Sequence, residues 1–141
     1  MNTPNNLTVT KHQRQEMIIH AEQGYPHEVV GILAGNRQQH HVSRIQPLIN
    51  ERADTKNRYK VSPLLLMRQE QALEKQGLEI VGYYHSHPDH PAKYSEYDRE
   101  HALPNMSYLI LSVLNGKAKT IQSWRLCEDR SQMTEEFINY T

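Results

Sequence analysis

Among its 141 residues, the sequence contains a single cysteine, Cys127. A lone cysteine cannot form an intrachain disulfide. The apolar runs are short, and none approaches the length needed to span a bilayer. Residues 1–6 are polar and lack the apolar core of a secretion signal. These absences predict a soluble, cytoplasmic protein with no membrane association.

An excess of charge is also missing, because 16 Lys and Arg residues balance 16 Asp and Glu residues and the isoelectric point is about 7.1. This balance argues against nucleic acid or an anionic membrane as the main partner. The length predicts one domain, residues 1–141, with enough chain for a proper core. Residues 1–6 are expected to form a flexible tail.

Local patterns predict alternating helices and strands, and hence a mixed α/β (α+β) fold. Thr10 with Gln13 forms a capping box for a helix from about 11 to 23, and Ser62 before Pro63 predicts the start of a second. A helix that leads into a strand implies a crossover, so part of the sheet is expected to be parallel. The remaining predictions are strands at 7–9, 29–34, 40–48, 57–61, 80–84, 108–114 and 117–125, a polar loop at 50–57, a hairpin turn at 115–116, a short helix at 95–103, and a last strand or helical turn near 137–138.

The most informative stretch follows the strand predicted at 80–84. Strand side chains alternate between faces, so His85 and His87 should point the same way. Asp98 can add a carboxylate, and two histidines with one carboxylate suit a zinc ion that keeps one position open for water. Ser95 precedes Asp98 by three residues and can reach the same small volume if a helix starts there.

Simpler interpretations compete with a metal site. A lone His-x-His is common, Ser95 and Asp98 also fit a capping box, and Asp89 and His90 could be turn residues between two prolines. The full spacing His-x-His-x7-Ser-x2-Asp, however, should arise by chance in only roughly one such sequence in a thousand. A capping box would moreover hold Asp98 rigidly, as a metal ligand requires.

Glu28 stands at the mouth of the apolar strand predicted at 29–34. A carboxylate that enters a core strand is costly unless it has partners, so it marks either the rim of the sheet or a site. The residues alone do not distinguish Glu28 from Glu22, Glu51 or Glu79. Composition favours a solvated strand-end glutamate.

His85-Ser86-His87-Pro88, with Ser95 and Asp98 at their spacing, resembles the signature of the JAMM (MPN+) zinc isopeptidases. The run from Gly82 to Ala92 is most similar to short bacterial enzymes of the Mec type, which release cysteine from a ubiquitin-like sulfur-carrier protein. The resemblance implies one JAMM/MPN domain, a curved mixed sheet flanked by helices and related to the cytidine-deaminase architecture.

The same resemblance implies roles for particular residues. It makes His85, His87 and Asp98 the ligands of one zinc ion, Glu28 the general base, and Ser95 the donor to the oxyanion. The expected partner is a ubiquitin-like sulfur carrier with a Gly-Gly-type tail. Residues 52–60, or the edge near Tyr83 and His90, could border its groove.

Other functions are weighed against this one. Neither a His-Glu-x-x-His helix nor the cysteine pair of a base deaminase is present, and the Gly-x-Ser-x-Gly elbow of a serine hydrolase is missing. The remaining alternative is an inactive MPN scaffold or interaction module that has lost its ligands, but all five motif positions are filled here. The chain is close to minimal length, which favours a small carrier over ubiquitin chains. Either a monomer or a homodimer is expected.

Overall fold

Seven strands and three α-helices occupy residues 6–50 and 61–141, the ranges that the computed structural model describes. The predicted polar loop at 50–57 and strand at 57–61 fall almost wholly outside these ranges, as does the predicted tail apart from Asn6. The elements in chain order are β1 (Asn6–Val9), α1 (Lys11–Gly24), β2 (Val30–Asn36), β3 (His41–Leu48), α2 (Pro63–Lys75), β4 (Glu79–Pro88), α3 (Glu96–His101), β5 (Ser107–Leu114), β6 (Lys117–Leu126) and β7 (Met133–Tyr140).

The strands form one closed sheet in the order β1-β3-β2-β4-β5-β6-β7. Closure depends on β1, which pairs in parallel with β3 on one side and with β7 on the other. The predicted mixed sheet with helices is confirmed, since β4 and β5 are parallel while β2 is antiparallel to both β3 and β4. The chain crosses from β4 to its parallel neighbour β5 through α3. The helix α2 instead joins β3 to β4, two strands that flank β2.

Local signals set the ends of the elements. Thr10 and Gln13 form the predicted capping box of α1, and the Ser62 side chain accepts from Leu65 N at the start of α2. Asn115 and Gly116 both have positive φ, as a two-residue hairpin turn requires. These three predictions are confirmed. Each of them depends only on residues that are close together in the chain.

Apolar side chains fill both faces of the sheet. Met17 and Ala21 of α1 pack inside with Leu33 and Val81, whereas Leu73 of α2 covers a second cluster on the other face. The central strands β2 and β4 are therefore buried on both faces, which makes them a rigid support for any side chain at their ends. No helix within residues 6–50 and 61–141 is both long and apolar enough to cross a membrane.

A substitution at Gly82 tests the close packing of β4 against β5. It pairs with Ser107 at the start of the β4–β5 ladder, and an added Cβ would lie 2.0 Å from the Ser107 carbonyl oxygen. We expect Gly82→Ala to lower the free energy of unfolding by about 1–3 kcal/mol, the usual cost of overpacking, in urea denaturation.

The control for this variant is Gly77→Asn, because Gly77 has a φ of 75° with open space around it and asparagine tolerates that conformation. The control should stay within about 1 kcal/mol of the parent protein. Equal stability of Gly82→Ala and the parent would contradict the close approach of β4 and β5.

Candidate metal centre

Two imidazoles face each other at the end of β4. His85 is fully buried and His87 is half-buried, and their Nε2 atoms lie 3.2 Å apart. The two residues stand two positions apart on an extended strand, so their side chains leave the same face of the sheet. The structure thus brings together the two histidines that the sequence singled out.

Asp98 approaches this pair from the first turn of α3. Its amide donates to Ser95 Oγ over 3.1 Å, and its own Oδ2 accepts from the Ser95 amide over 2.8 Å, which completes a capping box. The carboxylate remains in contact with both rings, since Oδ1 lies 3.2 Å from His85 Nε2 and Oδ2 lies 3.4 Å from His87 Nε2. Capping and contact with the histidines are therefore compatible, as the sequence analysis expected.

Glu28 completes the group from the segment that enters β2. Glu28 is 4 % exposed, and it shares with His85 and His87 a set of potential ligand atoms that all lie within 4.8 Å of one another. The solvated strand-end position favoured by composition is wrong. The strand pairing of β2 with β4, which places Val30 opposite His85, brings the preceding Glu28 to the imidazoles.

The donor set fits a zinc ion. Nitrogen and oxygen ligands bind zinc at about 2.0–2.2 Å, so neighbouring ligand atoms of a tetrahedral site lie about 3.3–3.6 Å apart. The separations among His85, His87 and Asp98 are 3.2, 3.2 and 3.4 Å, although Asp98 uses a different oxygen toward each ring. Glu28, His85 and His87 also form a group that could hold a metal ion.

The far side of the His87 ring is held by the backbone. Its Nδ1 lies 2.9 Å from the Pro91 carbonyl oxygen. A carbonyl only accepts, so Nδ1 carries the proton and Nε2 keeps its lone pair when the ring is neutral. Such a hydrogen bond orients a metal-binding histidine and increases its basicity.

Charges at the centre oppose the effects of burial. Burial would lower the pKa of His87, but its hydrogen bonds to Asp98 and to the Pro91 carbonyl, with the charges of Asp98 and Glu28, raise that pKa above its ordinary value. Burial would likewise raise the pKa of Asp98, but His85, His87 and the Ser95 amide hold it well below its ordinary range. The carboxylate is therefore ionised at neutral pH.

A cavity of about 590 Å³ opens onto the centre. Glu28, His87, Ser95 and Asp98 line it, together with His90, Lys93 and Tyr97 of the loop and helix that follow β4. Tyr97 also borders a smaller apolar pocket of about 270 Å³, whose other walls include Leu66, Tyr83, Leu103 and Tyr108. The cavity thus gives open access to the centre, and Tyr97 borders both this cavity and the apolar pocket.

Two residues that support Glu28 were missed by the sequence analysis. Ser86 Oγ accepts from the Val29 amide over 2.9 Å, and the Asn50 side chain donates to the Glu28 carbonyl oxygen over 2.8 Å. Ser86, which stands between the two histidines in the sequence, is fully buried. Its only signal in the sequence is a polar residue in an apolar strand.

Comparison with known proteins gives a consistent result. A family model described as prokaryotic homologs of the JAB domain matches residues 10–127. A desampylase of Haloferax volcanii is 34 % identical over 115 residues, which cover 78 % of this chain and 83 % of that protein. A probable TtuB-protein conjugate cleaving protease of Thermus thermophilus is 36 % identical over 104 residues, which cover 74 % and 68 % of the two chains.

Solved structures show the same fold. A protein of Desulfitobacterium hafniense has a TM-score of 0.81 and 32 % identity, with 96 % of this chain and 92 % of that chain covered. A protein of Salinibacter ruber has a TM-score of 0.73 and 31 % identity, with 96 % and 91 % covered. A JAB1/MPN domain protein of Archaeoglobus fulgidus, at 12 % identity, has a TM-score of 0.60 with 96 % of each chain covered and shares the fold.

Removal of one imidazole tests the centre. We expect the parent protein to bind about one zinc ion per chain, and His87→Ala to lose that ion, because two ligands rarely retain zinc. The measurement is metal analysis after exhaustive dialysis. His90→Ala is the matched control, since His90 lines the same cavity and should leave the zinc content unchanged. Stoichiometric zinc in His87→Ala would remove this residue from the site.

The direction of the pKa shifts predicts how zinc affinity depends on pH. A metal ligand must be deprotonated, and the raised pKa of His87 means that protons compete from a higher pH than at an ordinary histidine. Zinc affinity should therefore fall at least about tenfold per pH unit below that pKa, while Asp98, with its lowered pKa, adds nothing until much lower pH. Chelator competition measures this slope, and a flat profile across mildly acidic pH would contradict it.

Proposed function

Because the chain belongs to the family of prokaryotic homologs of the JAB domain, we propose that it is a zinc peptidase acting at the C-terminal tail of a ubiquitin-like protein. The predicted membership of the JAMM/MPN family is confirmed, and the names of the two relatives support a hydrolase of that family. The observation that carries the proposal is the convergence of Glu28, His85, His87 and Asp98, of which Glu28, His87 and Asp98 line one open cavity.

We assign the zinc ligands to His85, His87 and Asp98. The Asp98 oxygens lie 3.2 and 3.4 Å from the two rings, and the capping box fixes the carboxylate before any metal arrives. When bound, zinc supplies Lewis acidity, which makes water a stronger nucleophile near neutral pH. The fixed carboxylate and imidazoles keep the donor atoms oriented for the ion, so little reorganisation is needed.

Glu28 is assigned as the general base. Its buried carboxylate is beside the imidazoles and lines the cavity that a substrate and the attacking water would enter. In this role it takes a proton from the attacking water and passes it to the departing amine. Such proton transfer typically contributes about 10²–10⁴-fold to the rate.

Ser95 is assigned as the donor to the carbonyl oxygen that gains negative charge. Its Oγ already accepts from the Asp98 amide, so the hydroxyl hydrogen is directed away from the helix. The residue is exposed and lines the cavity with Glu28 and His87. A neutral hydroxyl adds a hydrogen bond to the oxyanion without a competing charge.

The names of the two relatives support a ubiquitin-like partner, since both imply cleavage of ubiquitin-like protein conjugates. A narrow Gly-Gly tail could reach the centre through the cavity, and the apolar pocket beside Tyr97 could take a side chain that precedes the glycines. Tyr83, which the sequence analysis placed near the groove, lines this pocket, whereas the other predicted border, residues 52–60, lies outside the described residues. The sulfur-carrier identity of the partner stays a prediction.

The identity of the leaving group distinguishes two possible reactions at this site. Conjugate cleavage releases a target protein, and the Mec-type reaction would release cysteine. Both are hydrolysis of the same tail amide and use the same residues. The single-domain assignment of residues 1–141 and the monomer or homodimer remain part of this proposal.

The experiment that tests the function compares these substrates directly. Purified protein is incubated with a carrier–cysteine fusion and with a carrier–protein conjugate, each with and without chelator, and the products are weighed by mass spectrometry. Chelator-sensitive cleavage after the terminal glycine supports the proposal. Folded, zinc-loaded protein that cleaves neither substrate would favour the inactive MPN scaffold.

Glu28→Gln separates the base from the ligands. We expect this variant to keep about one zinc per chain and to lose about 10²–10⁴-fold in kcat, since the amide cannot take the proton. Glu79→Gln is the control, because Glu79 is an exposed carboxylate on β4 that contacts Arg37 N. An unchanged kcat in Glu28→Gln would exclude Glu28 from the mechanism.

A further inference from the structure

Asp89 follows the last residue of β4, within the His-Pro-Asp-His-Pro stretch, and the proposed chemistry does not use it. Its φ is 59°, a left-handed conformation that aspartate and asparagine tolerate better than most residues. Its amide donates to the Val113 carbonyl oxygen over 2.7 Å. The backbone therefore turns sharply here while it stays attached to β5.

Both carboxylate oxygens of Asp89 are hydrogen-bonded to other segments. Oδ1 accepts from the Asn115 amide over 2.8 Å, at the β5–β6 turn. Oδ2 accepts from the Tyr25 hydroxyl over 2.8 Å, at the end of α1. The side chain thus joins three segments that are distant in sequence.

One of these connections supports His87. After Asp89 the loop turns back, so that the Pro91 carbonyl oxygen meets His87 Nδ1 at 2.9 Å. The intervening His90 carbonyl accepts from Ser112 Oγ over 2.6 Å. The acceptor that sets the tautomer and orientation of His87 therefore stands on a loop that Asp89 and Ser112 fix to β5.

The other connection supports Glu28, which lies three residues after Tyr25. The far end of this segment is held by Ser86, which binds the Val29 amide, and by Asn50, which binds the Glu28 carbonyl oxygen. The Tyr25 hydroxyl holds the near end against Asp89. Without that hydrogen bond, the segment that carries Glu28 is no longer held to Asp89 at its start.

We propose that Asp89 is a positioning residue that holds the loop orienting His87 and the segment carrying Glu28 in one fixed arrangement. The proposal rests on the proposed function for the roles of His87 as ligand and Glu28 as base. What Asp89 determines in this proposal is the position of His87 relative to Glu28. Asp89 itself does not touch substrate or metal.

Three variants of Asp89 and a matched control test it. Asp89→Gly keeps the left-handed backbone and removes both side-chain hydrogen bonds, whereas Asp89→Asn keeps the backbone, an acceptor for Asn115 and a donor for the Tyr25 oxygen. Asp89→Ala loses both the contacts and the favoured conformation. Asp129→Gly removes comparable turn contacts, to Ser131 and Cys127, none of which involves His85, His87, Asp98 or Glu28.

The first measurement uses the metal-free protein and is independent of activity. In the parent, NMR should show a slowly exchanging Nδ1 proton on His87, because the Pro91 carbonyl accepts it. That proton should exchange rapidly in Asp89→Gly and Asp89→Ala and stay protected in Asp89→Asn and Asp129→Gly. Protection in a folded Asp89→Gly would overturn the proposal, whatever the protein cleaves.

The second measurement is zinc affinity by chelator competition. Loss of a group that orients a metal-binding histidine typically costs about 10–100-fold, so we expect that loss in Asp89→Gly and near-parental affinity in Asp89→Asn. Equal losses in Asp89→Gly and the control Asp129→Gly would show a general effect on stability and contradict a positioning role.

Tyr25→Phe separates the two connections. It removes only the bond between Tyr25 and Asp89, so zinc affinity and KM should be retained while kcat falls by roughly tenfold or more from the misplacement of Glu28. An unchanged kcat would overturn the connection to Glu28. If neither the parent protein nor any variant cleaves a carrier substrate, the proposed function fails. The NMR and zinc measurements still decide the role of Asp89 in that case.

Discussion

The antiparallel pairing of β2 with β4 is the constraint on which the rest of the centre depends. Its register sets Val30 opposite His85, and the Ser86 hydroxyl and amide bind the two polar backbone groups of Val29. Glu28 is thereby held beside two imidazoles that alternation along β4 has already placed on one face. Because both strands are buried on both faces, their backbones cannot shift without disturbing the core.

Charged groups held in this way are costly to bury, and the structure offsets that cost locally. The Asp98 carboxylate accepts a hydrogen bond from the Ser95 amide and contacts both imidazoles. These interactions outweigh the effect of burial and lower the pKa of the carboxyl. A divalent cation would balance the two carboxylates more fully than protonated histidines can. The same capping box that starts α3 therefore also fixes the proposed metal ligand Asp98, and the exposed residue Ser95 lines the cavity.

Features with local causes were predictable from the sequence, and features with distant partners were not. The capping boxes at Thr10 and Ser95 and the shared face of His85 and His87 depend on residues at most three positions apart. Closure of the barrel depends on β1 pairing with β7 at the opposite end of the chain. The burial of Glu28 and the role of Ser86 likewise arise from a contact across 57 positions, and no local pattern reveals it. The proposed role of Glu28 came from the resemblance to JAMM enzymes, because spacing alone did not distinguish it from other glutamates.

The central claim is that His85, His87 and one carboxylate share one zinc ion at the end of β4. Zinc-edge X-ray absorption of the protein loaded with one equivalent of zinc tests it most directly. The account predicts a first shell of nitrogen and oxygen only, at about 2.0–2.2 Å, with the outer-shell scattering of two imidazoles. A sulfur ligand at about 2.3 Å, which only Cys127 or a methionine could supply, or a shell without imidazole, would contradict it.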